Sequence, residues 1–441
     1  MRFLSHFSMA IALAAAGTLA VSVAPQDAHA QKKAKAPKLD ISNEIKPKIA
    51  EIQKAMGSDT PASAKPLVEA LLAEPLAGDD QYIAGQLAIQ LGSSLKDTAL
   101  QEKGINASLA SGKTPAEQMP AFLFYSGNFA YGAGRYEEAA QKLQQAFDAG
   151  YTENGVGALI AEANFKLNKF PEGLAALERA IEHQESTGAK AEENWYRRGA
   201  GVAMQHNANG AAAKWTYKLV EAYPTGENWR AALSVYRDSA NPKLSNQENL
   251  ELMRLMRKAD AMESERDYFE YADAADPRRL PGEVVSLLEE GLAKGDVPSS
   301  STYVTEALAA ARSAVPADKA SLPASERDAK SAANGKIALA TADALLSYGE
   351  NSKAADLYQT AITKGGVDTP RAQMGLGIAN ANLSNWDAAK QAFASVTGSR
   401  KNIADFWTLW INQKAGGSTA ETAAATAPAT EAPAAAETGD E

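Results

Sequence analysis

Apolar residues recur at helical spacing along nearly the whole chain. They fall at i, i+3 and i+4 in segments of about 12 to 17 residues, the pattern of helices that bury one face. Val68, Leu71 and Leu72 form one such set. Turn residues separate the segments, and no stretch shows the alternation of a half-buried strand. The pattern predicts an all-α protein.

One segment returns at a fixed distance along the chain. The sequence GRYEEAAQKLQQAF at 134–147 reappears as NKFPEGLAALERAI at 168–181, displaced by 34 residues. Repetition at this period is the signature of a helical solenoid, in which each repeat is one pair of antiparallel helices.

The repeats resemble the tetratricopeptide repeat (TPR) family. That family places small residues where the two helices of a repeat cross, followed by a large apolar residue and a further small one. Here the four positions read Gly127, Ala139, Leu143 and Ala146 in the first unit. Five more units read Ala161, Gly173, Leu177, Ala180; Ala200, Ala212, Thr216, Leu219; Ala272, Val284, Leu288, Gly291; Ala342, Ala354, Tyr358, Ala361; and Gly377, Ala389, Phe393, Val396. The resemblance implies an α-α superhelix, a TPR-like solenoid of roughly 15–18 helices with a disordered C-terminal tail.

The N-terminus is typical of a secretory signal peptide over residues 1–30. Arg2 precedes a run of small and apolar residues over 9–24, and the Ala28-His29-Ala30 site predicts cleavage after Ala30. Four lysines in 31–38 predict a solvated linker, with contact to an anionic membrane surface as the alternative. No other stretch is long and apolar enough for stable membrane insertion. With the alanine-rich composition, this favours the periplasm of a bacterium.

Composition divides the remaining chain into five parts. We expect degenerate repeats or capping helices in 39–118, TPR-like repeats with an irregular helical insert in 119–297, and further TPR-like repeats in 336–414. Between them, the prolines of 298–335 predict a connector of short irregular helices. The segment 415–441 is rich in Ala, Thr, Pro and Glu and has no basic residue, which predicts a disordered tail.

The residues that usually carry catalysis or bind metals are scarce. The chain has no cysteine, and His183 and His206 lack the spacing of metal ligands. The SGKT at 111–114 lacks the preceding glycine of a phosphate-binding loop, and the S-x-x-K at 93–96 lacks its companion motifs. We therefore predict no cofactor and no enzyme activity. The net charge of −10 argues against nucleic acid as a partner.

The resemblance also implies a concave groove lined by the first helix of each repeat. The matching positions are Phe124, Asn128, Tyr131, Glu162, Phe165, Arg197, Phe269 and Asp273. Aromatic faces beside polar groups suit an extended peptide or a sugar. The alternative is that Phe124 and Phe165 pack between repeats. A second aromatic cluster is either a recognition surface or, as we favour, core packing; it comprises Trp195, Tyr196, Trp215, Tyr217, Tyr223, Trp229 and Tyr236.

These observations lead to three hypotheses. The first is a periplasmic, non-enzymatic TPR scaffold that binds a protein or peptide in envelope assembly or maintenance. The second is a module that binds glycan or peptidoglycan. The third, a solenoid-supported glycosidase, would need two carboxylates facing one cleft, and Glu265, Asp267, Glu270 and Asp273 are the candidates.

Overall fold

The structure is a computed structural model that describes residues 39–153, 155–206 and 210–425. The predicted signal peptide, the basic linker and the end of the predicted tail lie outside the described residues. The chain divides into two compact units, unit 1 up to Trp195 and unit 2 from Tyr196. Every regular element in the described ranges is helical, so the predicted all-α fold is confirmed.

Unit 1 contains eight α-helices and the start of a ninth. They are α1 Ile45–Met56, α2 Lys65–Leu72, α3 Gly78–Leu95, α4 Thr98–Ala110, α5 Met119–Gly132, α6 Tyr136–Asp148, α7 Val156–Lys166 and α8 Phe170–Ser186. The ninth, α9 Glu193–Gln205, contains the boundary between the units. A 3-10 turn at Pro61–Ala64 precedes α2.

Unit 2 continues the succession of helices joined by short turns. Its helices are α10 Ala211–Ala222, α11 Gly226–Ser239, α12 Asn246–Lys258, α13 Glu265–Ala275, α14 Pro281–Lys294, α15 Thr302–Ser331, α16 Lys336–Ser347, α17 Asn351–Lys364, α18 Thr369–Asn382, α19 Trp386–Ala394 and α20 Lys401–Ala425. The described residues thus form 20 α-helices, more than the predicted number. None of these helices combines the length and apolar character needed to cross a membrane.

Small residues allow the helices of a pair to cross closely. In the α5–α6 pair, a Cβ atom added at Gly127 would lie 2.7 Å from Leu143 Cγ. Ala139 and Ala146 on α6 are fully buried. At Gly377 in α18, a Cβ would overlap the ring of Phe393 in α19. Both crossings are those predicted from the repeat pattern.

The third pair keeps the predicted spacing but is shifted by one residue. Gly199 in α9, and not Ala200, lies directly under the large residue, which is Trp215 in α10 and not Thr216. Thr216 is buried beside it, and its hydroxyl donates to the carbonyl of Ala212 at 2.9 Å. A bulky ring over a glycine fills the crossing better than a threonine over an alanine, which explains the shift.

The α3–α4 pair shows that a close crossing also occurs where the repeat pattern is weak. A Cβ at Gly85 would lie 2.7 Å from the carbonyl oxygen of Gly104, and one at Gly92 would lie 2.8 Å from the backbone nitrogen of Gln101. The contacts run in opposite order along the two helices, because Gly85 precedes Gly92 in α3 whereas Gly104 follows Gln101 in α4. Residues 78–110 therefore form an antiparallel helix pair of the same kind as the repeats.

The predicted irregular connector is wrong for most of 298–335. Residues Thr302–Ser331 form one helix, α15, with Pro316 and Pro323 inside it. Contacts on either side of the prolines hold the helix: Val304 and Ala329 are buried, and Tyr348 donates its hydroxyl to Asp318 at 2.7 Å. Tertiary contacts and an alanine-rich composition here outweigh the usual cost of proline in a helix.

The C-terminal helix packs back onto helices more than 100 residues earlier in the chain. Trp407 of α20 is fully buried, and its ring nitrogen donates to the carbonyl of Glu251 in α12 at 3.1 Å. Gln413 donates to the carbonyl of Val220 in α10 at 2.9 Å. The helix extends to Ala425, past the predicted start of the tail at residue 415.

Phe406 of α20 occupies the centre of the predicted aromatic cluster. Its ring centroid lies 5.2 Å from that of Tyr217, 5.5 Å from Tyr236 and 6.3 Å from Trp229. Trp215 and Trp229 are almost completely buried. These members of the cluster are core residues that hold α20 in place.

A buried ion pair joins the start of α20 to α12. Arg400 Nε lies 3.1 and 3.2 Å from the two carboxylate oxygens of Glu251, which is 1% exposed. Burial raises the pKa of Glu251 from 4.5 to about 7, although the charge of Arg400 opposes the rise. The free-energy cost of removing the carboxylate from water therefore exceeds the stabilisation that the charge of Arg400 provides.

We predict that Gly127→Leu destabilises unit 1 by about 1–3 kcal/mol, because the new side chain has no room against Leu143. Gly132→Leu is the matched control, since it lies in the same helix and a Cβ there meets nothing within 4 Å. Thermal melting followed by circular dichroism measures both. Equal melting of Gly127→Leu and the control would show that this crossing does not depend on glycine.

We also predict that the contribution of Glu251 to the stability of unit 2 falls as the pH rises from 4.5 to about 7. In that window the folded chain keeps a proton that the unfolded chain has released, so rising pH favours unfolding. The free energy of unfolding of wild type relative to Glu251→Gln should fall by about 2–3 kcal/mol between about pH 5 and about pH 8. Urea unfolding measures it, with exposed Glu306→Gln as the control. A difference that does not change with pH would contradict the raised pKa.

Candidate functional site

A polar cleft opens in unit 2 where the ends of three helices meet. Its volume is about 450 Å³, and it lies between the start of α12, the end of α13 with the turn that follows, and the start of α18. The residues that line it are Asn246, Gln247, Asp273, Ala274, Asp276, Pro277, Arg279 and Arg371. One of them, Asp273, belongs to the groove predicted from the sequence.

The start of α12 is fixed by a capping box. Ser245 and Glu248 exchange hydrogen bonds, from the Ser245 backbone N–H to Glu248 Oε2 at 2.8 Å and from the Glu248 N–H to Ser245 Oγ at 3.3 Å. This arrangement satisfies backbone donors that the helix leaves unpaired. It also holds the amide side chains of Asn246 and Gln247, the first two residues of the helix, at the cleft.

Arg279 caps the C-terminal end of α13. Its guanidinium donates to the carbonyls of Ala274 at 2.9 Å and Ala275 at 3.3 Å, carbonyls that the helix leaves unpaired. A third N–H donates to Gln247 Oε1 at 3.1 Å and so joins α12 to the turn after α13. Asp276, at the end of the helix, has a positive φ of 62°.

Arg371 enters the cleft from the first turn of α18. It pairs with the buried carboxylate of Asp343, to which Tyr358 also donates its hydroxyl at 2.6 Å. Its Nε atom is buried and has no hydrogen-bond partner among the described residues. The pair with Asp343 therefore fixes the position of the guanidinium while leaving part of its donor capacity unused.

A second buried ion pair connects α12 to α14. Arg254 donates two hydrogen bonds to Glu283, at 2.7 and 2.6 Å, and Tyr271 donates a third at 2.7 Å. Burial alone would raise the pKa of Glu283, but the charge and hydrogen bonds of Arg254 hold it below its ordinary value. Such a pair fixes the register of α12 on α14 and is costly to break on one side only.

The cleft presents hydrogen-bond donors and acceptors side by side. Arg279 and Arg371 carry positive charge, Asp273 and Asp276 carry negative charge, and the amide of Asn246 can both donate and accept. Polypeptide backbone also alternates donors with acceptors. The lining therefore suits an extended peptide better than an apolar ligand, which needs a mostly apolar pocket.

In unit 1, the residues predicted for the groove separate into buried and exposed sets. Phe124 is buried, and its ring stacks on Tyr151 with the centroids 4.5 Å apart. Phe165 is buried over Gly173. The expectation that these two rings line an open surface is therefore wrong, and the packing alternative describes them. Asn128 is exposed.

The other two predicted residues of unit 1 are partly exposed. Tyr131 lies edge-on to Tyr136, with the ring centroids 5.4 Å apart. Glu162 is partly exposed on α7. Together with Asn128, these are the predicted groove residues of unit 1 that a ligand can reach.

Two of the three residues predicted in unit 2 lie together. The ring of Phe269 lies 4.2 Å from that of Tyr303, centroid to centroid, and Tyr303 donates its hydroxyl to Asp273 at 2.6 Å. Arg197 is exposed and forms an ion pair with Glu227 at 3.1 Å. Phe269 thus packs against Tyr303, which is hydrogen-bonded to Asp273 in the lining of the cleft.

Most of the residues that line the cleft could not be predicted from the sequence. Asn246 and Gln247 lie in 230–265, where the repeat pattern is weak, and Arg371 is far along the chain from both. A capping signal, Ser245 followed by Glu248, was present and marks the helix start that carries the two amides. No local pattern shows that the start of α18 lies beside the end of α13.

Comparison with solved structures gives distant likenesses. No family model and no curated protein matches the chain. Among solved structures, it is similar to the TPR2AB domain of yeast Sti1 in complex with pHSP90, at 13% identity and a TM-score of 0.22, over 69% of this chain and 97% of that one. It is also similar to Naa15/Naa10 bound to HypK-THB, at 12% identity and a TM-score of 0.24, over 86% of this chain and 74% of that one. At such scores the likenesses add nothing to the helix pairs already described.

Proposed function

We propose that this protein is a non-enzymatic helical-repeat scaffold that binds a protein or peptide partner, with the cleft of unit 2 as its binding site. The observation that carries the proposal is the lining of the cleft, in which fixed guanidinium, amide and carboxylate groups lie within one space of about 450 Å³. These groups match the donors and acceptors of an extended polypeptide.

The candidate carboxylates are engaged in ways that favour binding over catalysis. Asp267 caps α13 through Ser264, and Glu270 pairs with Arg237 and Arg266. Asp273 accepts the hydroxyl of Tyr303, and Asp276 accepts the N–H of Arg278 at 2.9 Å. Of the four candidates named from the sequence, only Asp273 lines the cleft, so we do not favour a glycosidase.

Burial of two of the four aromatic residues predicted for the groove weakens the glycan hypothesis. Sugar rings are bound by stacking on exposed aromatic faces, and Phe124 and Phe165 are buried in helix packing. We therefore take a polypeptide as the partner.

For the location, we propose export to a bacterial periplasm, where the scaffold would serve envelope assembly or maintenance. The support is the sequence of residues 1–30, in which a charged start, an apolar run and an Ala-His-Ala site occur in the order of a cleavable signal.

We predict that peptides selected from a random display library against the full chain bind through the cleft. Asn246→Ala combined with Asp273→Ala should weaken them at least about tenfold, equivalent to about 1.4 kcal/mol, because one amide and one carboxylate are lost. Fluorescence anisotropy with labelled peptides measures the change. Asn246 is exposed, so its loss should leave the fold intact.

The matched control is Glu306→Ala combined with Gln359→Ala, which removes one carboxylate and one amide from exposed positions of the same unit outside the cleft. If this control weakens binding as much as the cleft variant, the cleft is not the site. If only Asn128→Ala with Tyr131→Ala weakens binding, the peptide site lies in unit 1.

We predict that a bacterial host exports the chain and releases a mature form that begins at Gln31. N-terminal sequencing of protein from the osmotic-shock fraction detects it. Ala28→Leu combined with Ala30→Leu should block processing, because bulky residues do not fit an A-x-A cleavage site. A chain that stays in the cytosol with residues 1–30 attached would contradict export.

A further inference from the structure

A second cavity lies in unit 1, at the ends of the helices that form the second repeat. It has a volume of about 240 Å³ and is lined by Phe147, Thr152, Glu153, Gly155, Val156, Gly157, Ala180, His183, Gln184, Glu192 and Trp195. This is below the size of sites for drug-sized ligands. It suits a group as large as one amino-acid side chain.

Two glycines keep the cavity open. Gly157, at the start of α7, lies against Ala180 of α8, and a Cβ at position 157 would lie 3.2 Å from Ala180 Cα. Gly155 has a positive φ of 65° and faces the ring of Trp195 at 3.9 Å from its Cβ position. A side chain at position 157 would push α7 away from α8, and one at position 155 would contact the ring of Trp195.

Aromatic rings form its walls. Phe147 and His183 meet edge to face, with their centroids 6.0 Å apart and their planes at 79°. Trp195 lines the cavity from the start of α9. Phe and Trp rings attract cations through the negative potential of their faces, and tryptophan does so best.

The charge of the lining also favours a cation. Glu153 and Glu192 are exposed carboxylates, and neither side chain has an ion pair or hydrogen bond within the described residues. No lysine or arginine lines the cavity. The lining therefore carries a formal charge of about −2 at neutral pH, with His183 counted as neutral.

We propose that this cavity binds the guanidinium or alkylammonium group of a basic side chain on a polypeptide partner. Trp195 and Phe147 provide aromatic faces for the cation, and Glu153 and Glu192 neutralise its charge. The site is separate from the cleft of unit 2, and its argument does not depend on that cleft.

The test uses the full chain labelled with 5-fluorotryptophan and titrated with N-acetyl-arginine amide. The chain has six tryptophans, and Trp195→Phe identifies the fluorine resonance of Trp195. We expect this resonance to shift on titration while the resonances of the buried tryptophans stay in place. Glu153→Gln combined with Glu192→Gln should weaken the interaction at least about tenfold, since both neutralising charges are lost.

Two controls separate this site from general attraction to an acidic protein. Glu172→Gln combined with Glu182→Gln changes the net charge equally at exposed positions of α8 outside the cavity, and should leave the affinity unchanged. N-acetyl-citrulline amide has the shape of the probe without its charge and should not shift the resonance. The proposal is overturned if Trp195 does not respond, if the neutral compound acts equally, or if the α8 variant weakens binding as much as the cavity variant. The peptide experiment on the cleft is unaffected by any of these outcomes.

Discussion

The close crossing of paired helices through glycine and alanine is the constraint on which the rest of this structure depends. At Gly127 and Gly377 there is no space for even one more carbon atom, so a large residue of the second helix lies directly on the backbone of the first. Close packing of this kind holds the helix pairs together in a chain that has no cysteine and so no disulfide. It recurs in α3–α4, where no repeat motif is recognisable. The two units are therefore built on one packing rule.

That rule also limits the surface left for ligands. Parts of the helix sides are used for packing against neighbouring helices, as the buried rings of Phe124 and Phe165 show. Both cavities described above lie at helix ends and in the turns that follow them, and they differ in chemistry. The cleft of unit 2 has arginines beside carboxylates, whereas the cavity of unit 1 has carboxylates beside aromatic rings.

Local patterns in the sequence predicted the local structure well. The helical period and the small residues at 127, 139 and 377 were sufficient for the fold class and for the crossings of the best repeats. The one-residue shift at Gly199 was not predictable, because both Trp215 and Thr216 lie near the expected position and only their packing decides between them. The length of α15 could not be predicted, because prolines usually end a helix and the sequence does not show the tertiary contacts that hold this one. The docking of α20 and the position of Arg371 depend on contacts between distant parts of the chain. The spacing of apolar residues along the sequence does not reveal such contacts.

Photo-crosslinking in intact cells can show whether a polypeptide binds in the cleft of unit 2. A photoreactive amino acid replaces Asn246 at the mouth of the cleft in one strain and exposed Glu306 of the same unit in another. If a polypeptide binds in the cleft, we expect a discrete crosslinked product from position 246 that is lost when Asp273 is changed to alanine, and none from position 306. The same products from both positions, or none from position 246, would contradict it.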